Sequence, residues 1–168
     1  PTVDLRPNRF VWLGTTAAFD AFKFYFRWDD HGLWRVHAYR YADDASTFIV
    51  ETTAQTLAKA GLESAPEAET LAFCEALFAP ELAGHRLIAN RSIWRSFPSL
   101  ACVRWHRGNV VLIGDAAHTA HFSVGSGTRM AMDDAIALAA ALDRHPDLPA
   151  ALAAYEAERR PDVASLQR

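Results

Sequence analysis

The sequence has little cysteine and no long apolar run, and each shortage argues against a class of protein. Cysteine occurs at Cys74 and Cys102 only, and neither has metal-ligand or redox spacing. Both are expected to be buried free thiols in a reducing compartment. No segment reaches the roughly 20 apolar residues of a membrane span, and none has a signal-peptide pattern. The expected location is therefore the cytoplasm, with no membrane partner.

The sequence also lacks a marked excess of either charge. Its 17 basic and 20 acidic residues are dispersed and give a net charge of −3. Nucleic acid is therefore not an expected partner. Apolar residues make up 51% of the 168 positions, and a chain of this length can bury a core. The composition predicts a soluble globular domain.

The first fifty residues contain four aromatic and β-branched runs, "RFVWLGTTA", "AFKFYFRWDD", "LWRVHAYRYA" and "STFIVET". Turn residues at 29–32 and 43–46 leave connections so short that neighbouring strands must be antiparallel. In the second run Phe22, Phe24 and Phe26 alternate with polar or amphipathic residues. An antiparallel sheet over about 9–53 is expected, with one core face and one face open to water or a ligand.

The apolar period becomes helical after Ala54. Extended character returns in "RLIANRSIW" and "ACVRWHR". Pro66 lies near a helix start, and Gly61 and Pro80 are expected helix stops. Pro161 is expected to end or kink the last helix. The expected helices are 54–60, 66–78, 127–143 and 148–166.

The segment "VVLIGDAAHTAHFSVGSGTRMAMDDA", at 110–135, carries the clearest chemical signal. "VVLI" is typical of a buried strand, Gly114 permits close approach of backbone, and Asp115 would project into a crevice at the strand end. Gly125 and Gly127 bracket a turn that leads into a helix, whose positive amino terminus suits an anion or an electron-rich ring edge. The same spacing also fits Asp115 as a plain cap and the glycines as a turn that binds no ligand. Spacing alone does not decide between these interpretations, because the third glycine of a dinucleotide fingerprint is missing.

"GDAAH", the Gly-x-Gly seven residues beyond its histidine, and the following "DDA" resemble the second flavin-binding motif of the class A flavoprotein monooxygenases, the p-hydroxybenzoate hydroxylase group. The common motif has Pro-Pro where this chain has His121 and Phe122, and Asn and Gly where it has Arg129 and Ala131. "HFSVGSGT", "RFVWLGTTAAFDAFKFYF" and "GLWRVHAYRY" are closer to one branch, the hydroxylases of aromatic coenzyme A thioesters such as salicylyl-CoA 5-hydroxylase and 2-aminobenzoyl-CoA monooxygenase/reductase.

The resemblance implies FAD as cofactor, with the flavin itself performing the oxygen chemistry. Asp115 would accept a hydrogen bond from a ribityl hydroxyl, and the backbone at 125–128 would approach the pyrimidine side of the flavin ring. The implied cofactor-binding residues are Gly114, Asp115, His118, Gly125, Ser126, Gly127, Thr128 and Arg129.

The departures from the motif leave some roles open. His121 could orient the substrate or assist proton transfer, with Phe122 forming a wall of the substrate or flavin site, or it could be a structural histidine. Arg129 could reach a phosphate or a flavin carbonyl, or remain solvated. His118 is expected to belong to the hydrogen-bond scaffold of the loop. Asp115, His118 and His121 could form a metal site, but no metal is expected because the flavin motif explains their positions.

The expected fold class is α+β. It comprises an antiparallel substrate-side sheet with packed helices over 1–107, and the second flavin-binding strand, loop and helix of an FAD/NAD(P)-binding fold over 108–168. The Gly-rich amino-terminal Rossmann segment that holds the ADP half of FAD is missing from the sequence. The chain is therefore interpreted as a carboxy-terminal fragment that is inactive alone, does not retain FAD, and self-associates as a homodimer through the face exposed by truncation.

The parent protein is expected to hydroxylate an aromatic acyl-CoA substrate with O2 and NAD(P)H. Two alternatives stay open. One keeps the flavin but changes the reaction, as in halogenases and hydroxylases of indole-derived pigments. The other is a cofactor-free module that binds an aromatic ligand or a protein.

Overall fold

The computed structural model describes residues 1–167, and of Val124 only the backbone. The chain divides into two compact units. Arg6–Phe97 form the first, called here the sheet unit. Pro1–Leu5 and Pro98–Arg168 form the second, called here the turn-helix unit. Each unit is described separately.

One six-stranded sheet dominates the sheet unit, in the order β2-β3-β4-β1-β5, with β6 also pairing with β1. Its strands are β1 Thr2–Thr15, β2 Lys23–Trp28, β3 Leu33–Ala42, β4 Ala45–Thr53, β5 Leu87–Ile88 and β6 Arg95–Ala101. The first residues of β1, up to Leu5, and the residues of β6 from Pro98 onward are counted in the turn-helix unit. The pairs β2-β3 and β3-β4 are antiparallel, as their short turns predict, and the pair β1-β4 is antiparallel as well. The expected mixture of helices and antiparallel sheet is confirmed, although β1 begins seven residues before the predicted start near 9.

Asp29 organises the turn between β2 and β3. Its carboxylate accepts hydrogen bonds from the backbone N–H groups of His31 and Gly32 and from the Trp34 indole. Burial acts to raise the pKa of this carboxyl, but these hydrogen bonds and the His31 side chain outweigh it and lower the pKa. The turn therefore fixes both the hairpin and the buried Trp34 beneath it.

Three helices pack on one face of the sheet: α1 Ala54–Lys59, α2 Glu67–Leu77 and α3 Ala79–Leu82. The Thr53 hydroxyl caps α1 by accepting from the Thr56 amide. The first two helices lie where the periodicity predicts them, but α3 is not anticipated. Pro80, expected as a stop, instead occupies the first turn of α3, where a missing N–H costs little.

The sheet has one core face and one open face, as expected, and the aromatic face of β2 is the open one. Phe22, Phe24 and Phe26 are 55%, 52% and 60% exposed. The helices cover the opposite face, where Tyr25 packs against the core. Arg27 lies on that face too and pairs with Glu81. Both sides of β2 carry aromatic rings, so a ring on this edge strand is buried only if the helices cover its side.

In the turn-helix unit, two long helices carry most of the core. The hairpin of β7 His106–Arg107 and β8 Val110–Val111 is followed by 3-10 turns at Gly114–Ala116 and Phe122–Val124, then α4 Gly127–Arg144 and α5 Leu148–Leu166. Trp105, Met130, Tyr155 and Val163 meet in the core. Within residues 1–167, no helix has both the length and the apolar character to cross a membrane.

"VVLI" does not form the predicted buried strand. Pairing is confined to β8, and Val110 and Ile113 are 62% and 40% exposed. The backbone of Leu112 is held instead by Trp105 and by the Tyr155 hydroxyl, which donates to the Leu112 carbonyl. A single two-residue partner strand cannot bury both faces of this run.

Two further extended segments are shorter than predicted. "RLIANRSIW" contributes only β5, and "ACVRWHR" contributes the end of β6 and β7. The longer strand β6 lies between them, where Pro98 obscures the strand pattern.

Helix α5 continues through Pro161 to Leu166, so the proline does not end it. Tyr155, Arg159 and Val163 are buried on one side of this helix. A proline removes one backbone hydrogen bond of the helix, and the packing of these three side chains maintains the helix despite that loss.

The two thiols differ in exposure. Cys74 is buried as expected, whereas Cys102 is only half-buried, and its Sγ donates to the Ala116 carbonyl. Burial, assisted by the charge of Glu75, raises the pKa of the Cys74 thiol to about 12.

We expect a thiol reagent at pH 8 to modify Cys102 in the native chain and Cys74 only after denaturation, because the thiolate is the reactive form. Mass spectrometry of tryptic peptides measures both sites. Cys102→Ser is the control and should leave the native chain unmodified. Modification of native Cys74 at the rate of Cys102 would contradict the buried position of Cys74.

Candidate functional site

A tight turn against α4 follows β8. Gly114 has φ +55, and a Cβ on it would lie 2.9 Å from the Cβ of Ala131. A side chain at position 114 would therefore be strained by its backbone angle and would collide with α4. The predicted close approach of backbone at Gly114 is confirmed, and its neighbour is α4.

Asp115 lies on this turn with its side chain exposed. It follows β8 by four residues instead of ending a strand. An exposed carboxylate on a turn with fixed backbone can accept hydrogen bonds from ligand hydroxyl groups. The structure therefore leaves Asp115 available for the ribityl contact, and that contact stays a prediction.

His121 has a local structural role. Its Nδ1 lies 2.7 Å from the Ser123 hydroxyl and accepts from the Ser123 amide at 3.3 Å, which caps the second 3-10 turn. Its ring lies 4.3 Å from that of Phe122, centre to centre. Both side chains are half-buried. Their proposed substrate roles stay predictions beside this capping contact.

The amino terminus of α4 is open. Among the described residues no side chain caps it, and its first turn contains no acidic residue. Positions 125 and 127 have free space where a Cβ would lie, and Gly125 adopts φ +64. The buried Ser126 hydroxyl oxygen has no hydrogen-bond partner within the part of the chain described. Uncapped helix N–H groups beside an unpartnered buried hydroxyl can bind an electron-rich group.

Thr128 and Arg129 are exposed in the first turn of α4. The Arg129 Nε lies 3.6 Å from an Asp133 carboxylate oxygen, one helical turn away. The structure thus places Arg129 at the solvent surface in a weak helix pair. Its suggested contact with a phosphate or flavin carbonyl stays a prediction.

His118 lies in the scaffold of the loop, as expected. Its side chain is 1% exposed, and its Nε2 lies 2.7 Å from a carboxylate oxygen of Asp134. Asp134 also pairs with Arg159 of α5. Neither Asp134 nor Arg159 is among the site residues that the sequence predicts. A signal was present, since Asp134 follows Met130 by four residues and precedes Ala137 by three, which puts a carboxylate on the buried face of α4.

The open face of the sheet unit carries a buried carboxylate, Glu51. Its Oε1 accepts from Asn8 and Arg35, each at 2.7 Å, and its Oε2 lies 3.4 Å from the His37 ring. These contacts provide the partners that a buried charge requires. The centre of the open face is therefore polar and fixed, with the phenylalanines of β2 beside it.

A groove of about 650 Å³ crosses the same unit. Aromatic and aliphatic side chains share its lining with two arginines, Arg91 and Arg95. The lining includes Trp12, Tyr41, Ile88 and Ile93. Arg91 adopts φ +53, a conformation that non-glycine residues seldom adopt. The groove combines an apolar surface for a ring with two positive charges.

Comparison with known proteins identifies relatives. Residues 16–168 match a family described as FAD binding domain. The chain is 44% identical over 176 residues to salicyloyl-CoA 5-hydroxylase from a Streptomyces species, and the match covers 99% of this chain and 34% of that protein. It is 46% identical over 159 residues to the 3-hydroxy-4-methyl-anthranilyl (aryl-carrier protein) 5-monooxygenase of Streptosporangium sibiricum, with 95% and 42% covered.

A solved structure has a similar fold. A probable FAD-dependent monooxygenase from Pseudomonas aeruginosa matches with a TM-score of 0.67 and 26% identity, over 97% of this chain and 47% of that one. The chain thus spans less than half of the length of each of these three proteins.

Asp115→Ala is expected to weaken FAD binding, in a protein of the relatives' length that contains this chain, by about 1.5–3 kcal/mol, roughly ten- to a hundredfold. The cause is loss of a charge-assisted hydrogen bond from an exposed turn, so folding should be little affected. Fluorescence titration of the apoprotein with FAD measures the affinity. Asp143→Ala, at an exposed position of α4, is the matched control. Equal affinities for Asp115→Ala and the unmodified protein would exclude Asp115 as a ligand.

Proposed function

Because this chain belongs to the family of FAD-binding domains, we propose that it forms part of a flavin-dependent monooxygenase that hydroxylates an aromatic coenzyme A thioester with O2 and NAD(P)H. The observation that carries the proposal is the turn-helix geometry, in which exposed Asp115 and the open amino terminus of α4 belong to one unit. The names of the two sequence relatives, both hydroxylating enzymes of aromatic thioesters, support the substrate class.

The residues of the turn-helix unit fit FAD chemically. Asp115 would accept from a ribityl hydroxyl, and the N–H groups at 127–129 would face the electron-rich edge of the flavin ring. The unpartnered Ser126 hydroxyl would donate to the same edge. Bound FAD would supply the oxygen-activating and redox chemistry. The contribution of these residues is to orient the ring and to stabilise negative charge on it.

The groove of the sheet unit is our candidate for the thioester substrate. Trp12 and Tyr41 offer aromatic surface for the acyl ring. Arg91 and Arg95 offer guanidinium groups, which bind phosphate in a bidentate manner. A coenzyme A thioester carries both features, an apolar acyl group and phosphates.

The proposal concerns a protein of the relatives' length that contains this chain. The 168 residues alone would not retain FAD, because Asp115 and the amino terminus of α4 would contact only the ribityl and ring portions of the cofactor. The exposed apolar side chains of Val110, Ile113, Met132 and Ile136 in the turn-helix unit would provide the contact for self-association of the isolated chain.

Incubation of this longer protein with FAD, NAD(P)H, ¹⁸O2 and salicyloyl-CoA tests the reaction. Mass spectrometry should find one ¹⁸O atom in the aromatic product. Incorporation of halide, or oxidation of an indole in preference to the thioester, would replace the proposed reaction with another flavin reaction. A colourless protein that cannot be reconstituted with FAD would instead favour a cofactor-free binding module.

Arg95→Gln is expected to raise the KM for an aromatic acyl-CoA about three- to tenfold, because a phosphate loses a charged donor. The KM for the same acyl group on N-acetylcysteamine, which carries no phosphate, should not change. Steady-state kinetics measure both substrates. Arg104→Gln, which removes an exposed arginine of the turn-helix unit, is the control. Equal effects on the two substrates would exclude a phosphate contact at Arg95.

A further inference from the structure

Asp134 is the most completely buried charged group in the turn-helix unit, with 0% exposure. One of its oxygens, Oδ2, accepts from the Gly114 amide at 2.9 Å and lies 2.7 Å from His118 Nε2. The other, Oδ1, accepts from Arg159 Nε at 3.0 Å. A single carboxylate thus connects the turn after β8 with both long helices.

The two contacts at Oδ2 lie at the two ends of the Gly114–His118 segment, and Asp115 lies between them. The segment is also closed internally, since the His118 amide donates to the Gly114 carbonyl at 3.0 Å. Gly114 also approaches α4 so closely that a Cβ on it would lie 2.9 Å from the Ala131 Cβ. Asp134 thereby restrains the backbone that carries the Asp115 side chain.

Arg159 makes this restraint electrostatically possible. A buried carboxylate is costly unless an opposite charge and hydrogen bonds compensate for its lost hydration. Arg159 is 9% exposed at its side chain, and its second contact is with Asp162 at the surface. Displacement of Asp134 would leave the Gly114 amide, the His118 ring and the Arg159 guanidinium without this acceptor, so the arrangement is stiff.

His118 completes the restraint. To donate to Asp134, its Nε2 must carry a proton. The ring also packs against Trp105, with centres 4.9 Å apart. The orientation of His118 is therefore fixed on one side by a hydrogen bond and on another by an aromatic contact.

We propose that Asp134 is a positioning residue for the cofactor: it holds the Gly114–His118 turn in the conformation that presents Asp115 to FAD. This inference rests on the proposed function. Asp134 acts through the turn and does not itself contact FAD.

The main test compares Asp134→Asn with Asp162→Asn in the longer flavoprotein. Both changes remove one carboxylate charge from Arg159, but only Asp134 contacts the turn. We expect Asp134→Asn to raise the Kd for FAD about tenfold or more, and Asp162→Asn to change it less than about twofold. Amide hydrogen exchange of the peptide spanning 110–119, without FAD, should accelerate in Asp134→Asn only.

A double variant separates positioning from general stability. Asp134→Leu with Arg159→Met replaces the buried ion pair by apolar side chains, a change that often preserves stability. We expect the double variant to stay folded with a lowered thermal midpoint, because loss of the ion pair itself costs little but the Gly114 amide and the His118 ring lose their acceptor. Its FAD affinity should remain reduced, because the Gly114 amide has lost its acceptor. Normal FAD affinity in this folded double variant, or unaltered exchange at 110–119 in Asp134→Asn, would overturn the proposal.

Failure of the proposed function has a different signature. An unmodified longer protein that binds no FAD would contradict the flavin assignment, and the positioning role would fall with it. Tight FAD binding that is indifferent to Asp134 would overturn the positioning role alone.

Discussion

In the turn-helix unit, one buried carboxylate requires hydrogen-bond donors and an opposite charge to compensate for its lost hydration. Asp134 occupies a position on α4 where periodicity would favour an apolar residue, yet it is fully buried. The cost of this burial is offset only if the turn after β8, His118 and Arg159 all supply donors. Asp134 therefore links the turn that carries exposed Asp115 with α4 and α5.

A comparable principle operates in the sheet unit, around Glu51. Asn8 and Arg35 donate to it from the neighbouring strands β1 and β3. The opposite face of the sheet is apolar and covered by helices, with Trp34 and Phe48 fully buried. One sheet thus separates a packed core from a face where polar and aromatic groups are held in place, which suits ligand recognition.

Much of this architecture could be predicted from the sequence because hydrophobic period and turn residues agree over long segments. The strands up to Thr53 and helices α1, α2, α4 and α5 follow that rule. "VVLI" does not, since burial of a short apolar run depends on which element packs over it. The turn at Gly114 could be predicted from its glycine. The role of Asp134 could not be assigned, because its partners Gly114 and Arg159 are 20 and 25 residues away.

The resemblance to flavoprotein monooxygenases comes from the sequence, and the geometry of the site comes from the structure. Both support FAD as the cofactor. The family match identifies FAD, while the structure provides an exposed acid on a fixed turn and an open helix terminus. We propose that Asp115 contacts the ribityl chain, and a crystal structure of the longer protein with FAD would show this contact. We expect an Asp115 carboxylate oxygen at about 2.7 Å from a ribityl hydroxyl. Bound FAD with its ribityl chain away from Asp115 would exclude Asp115 as a ligand.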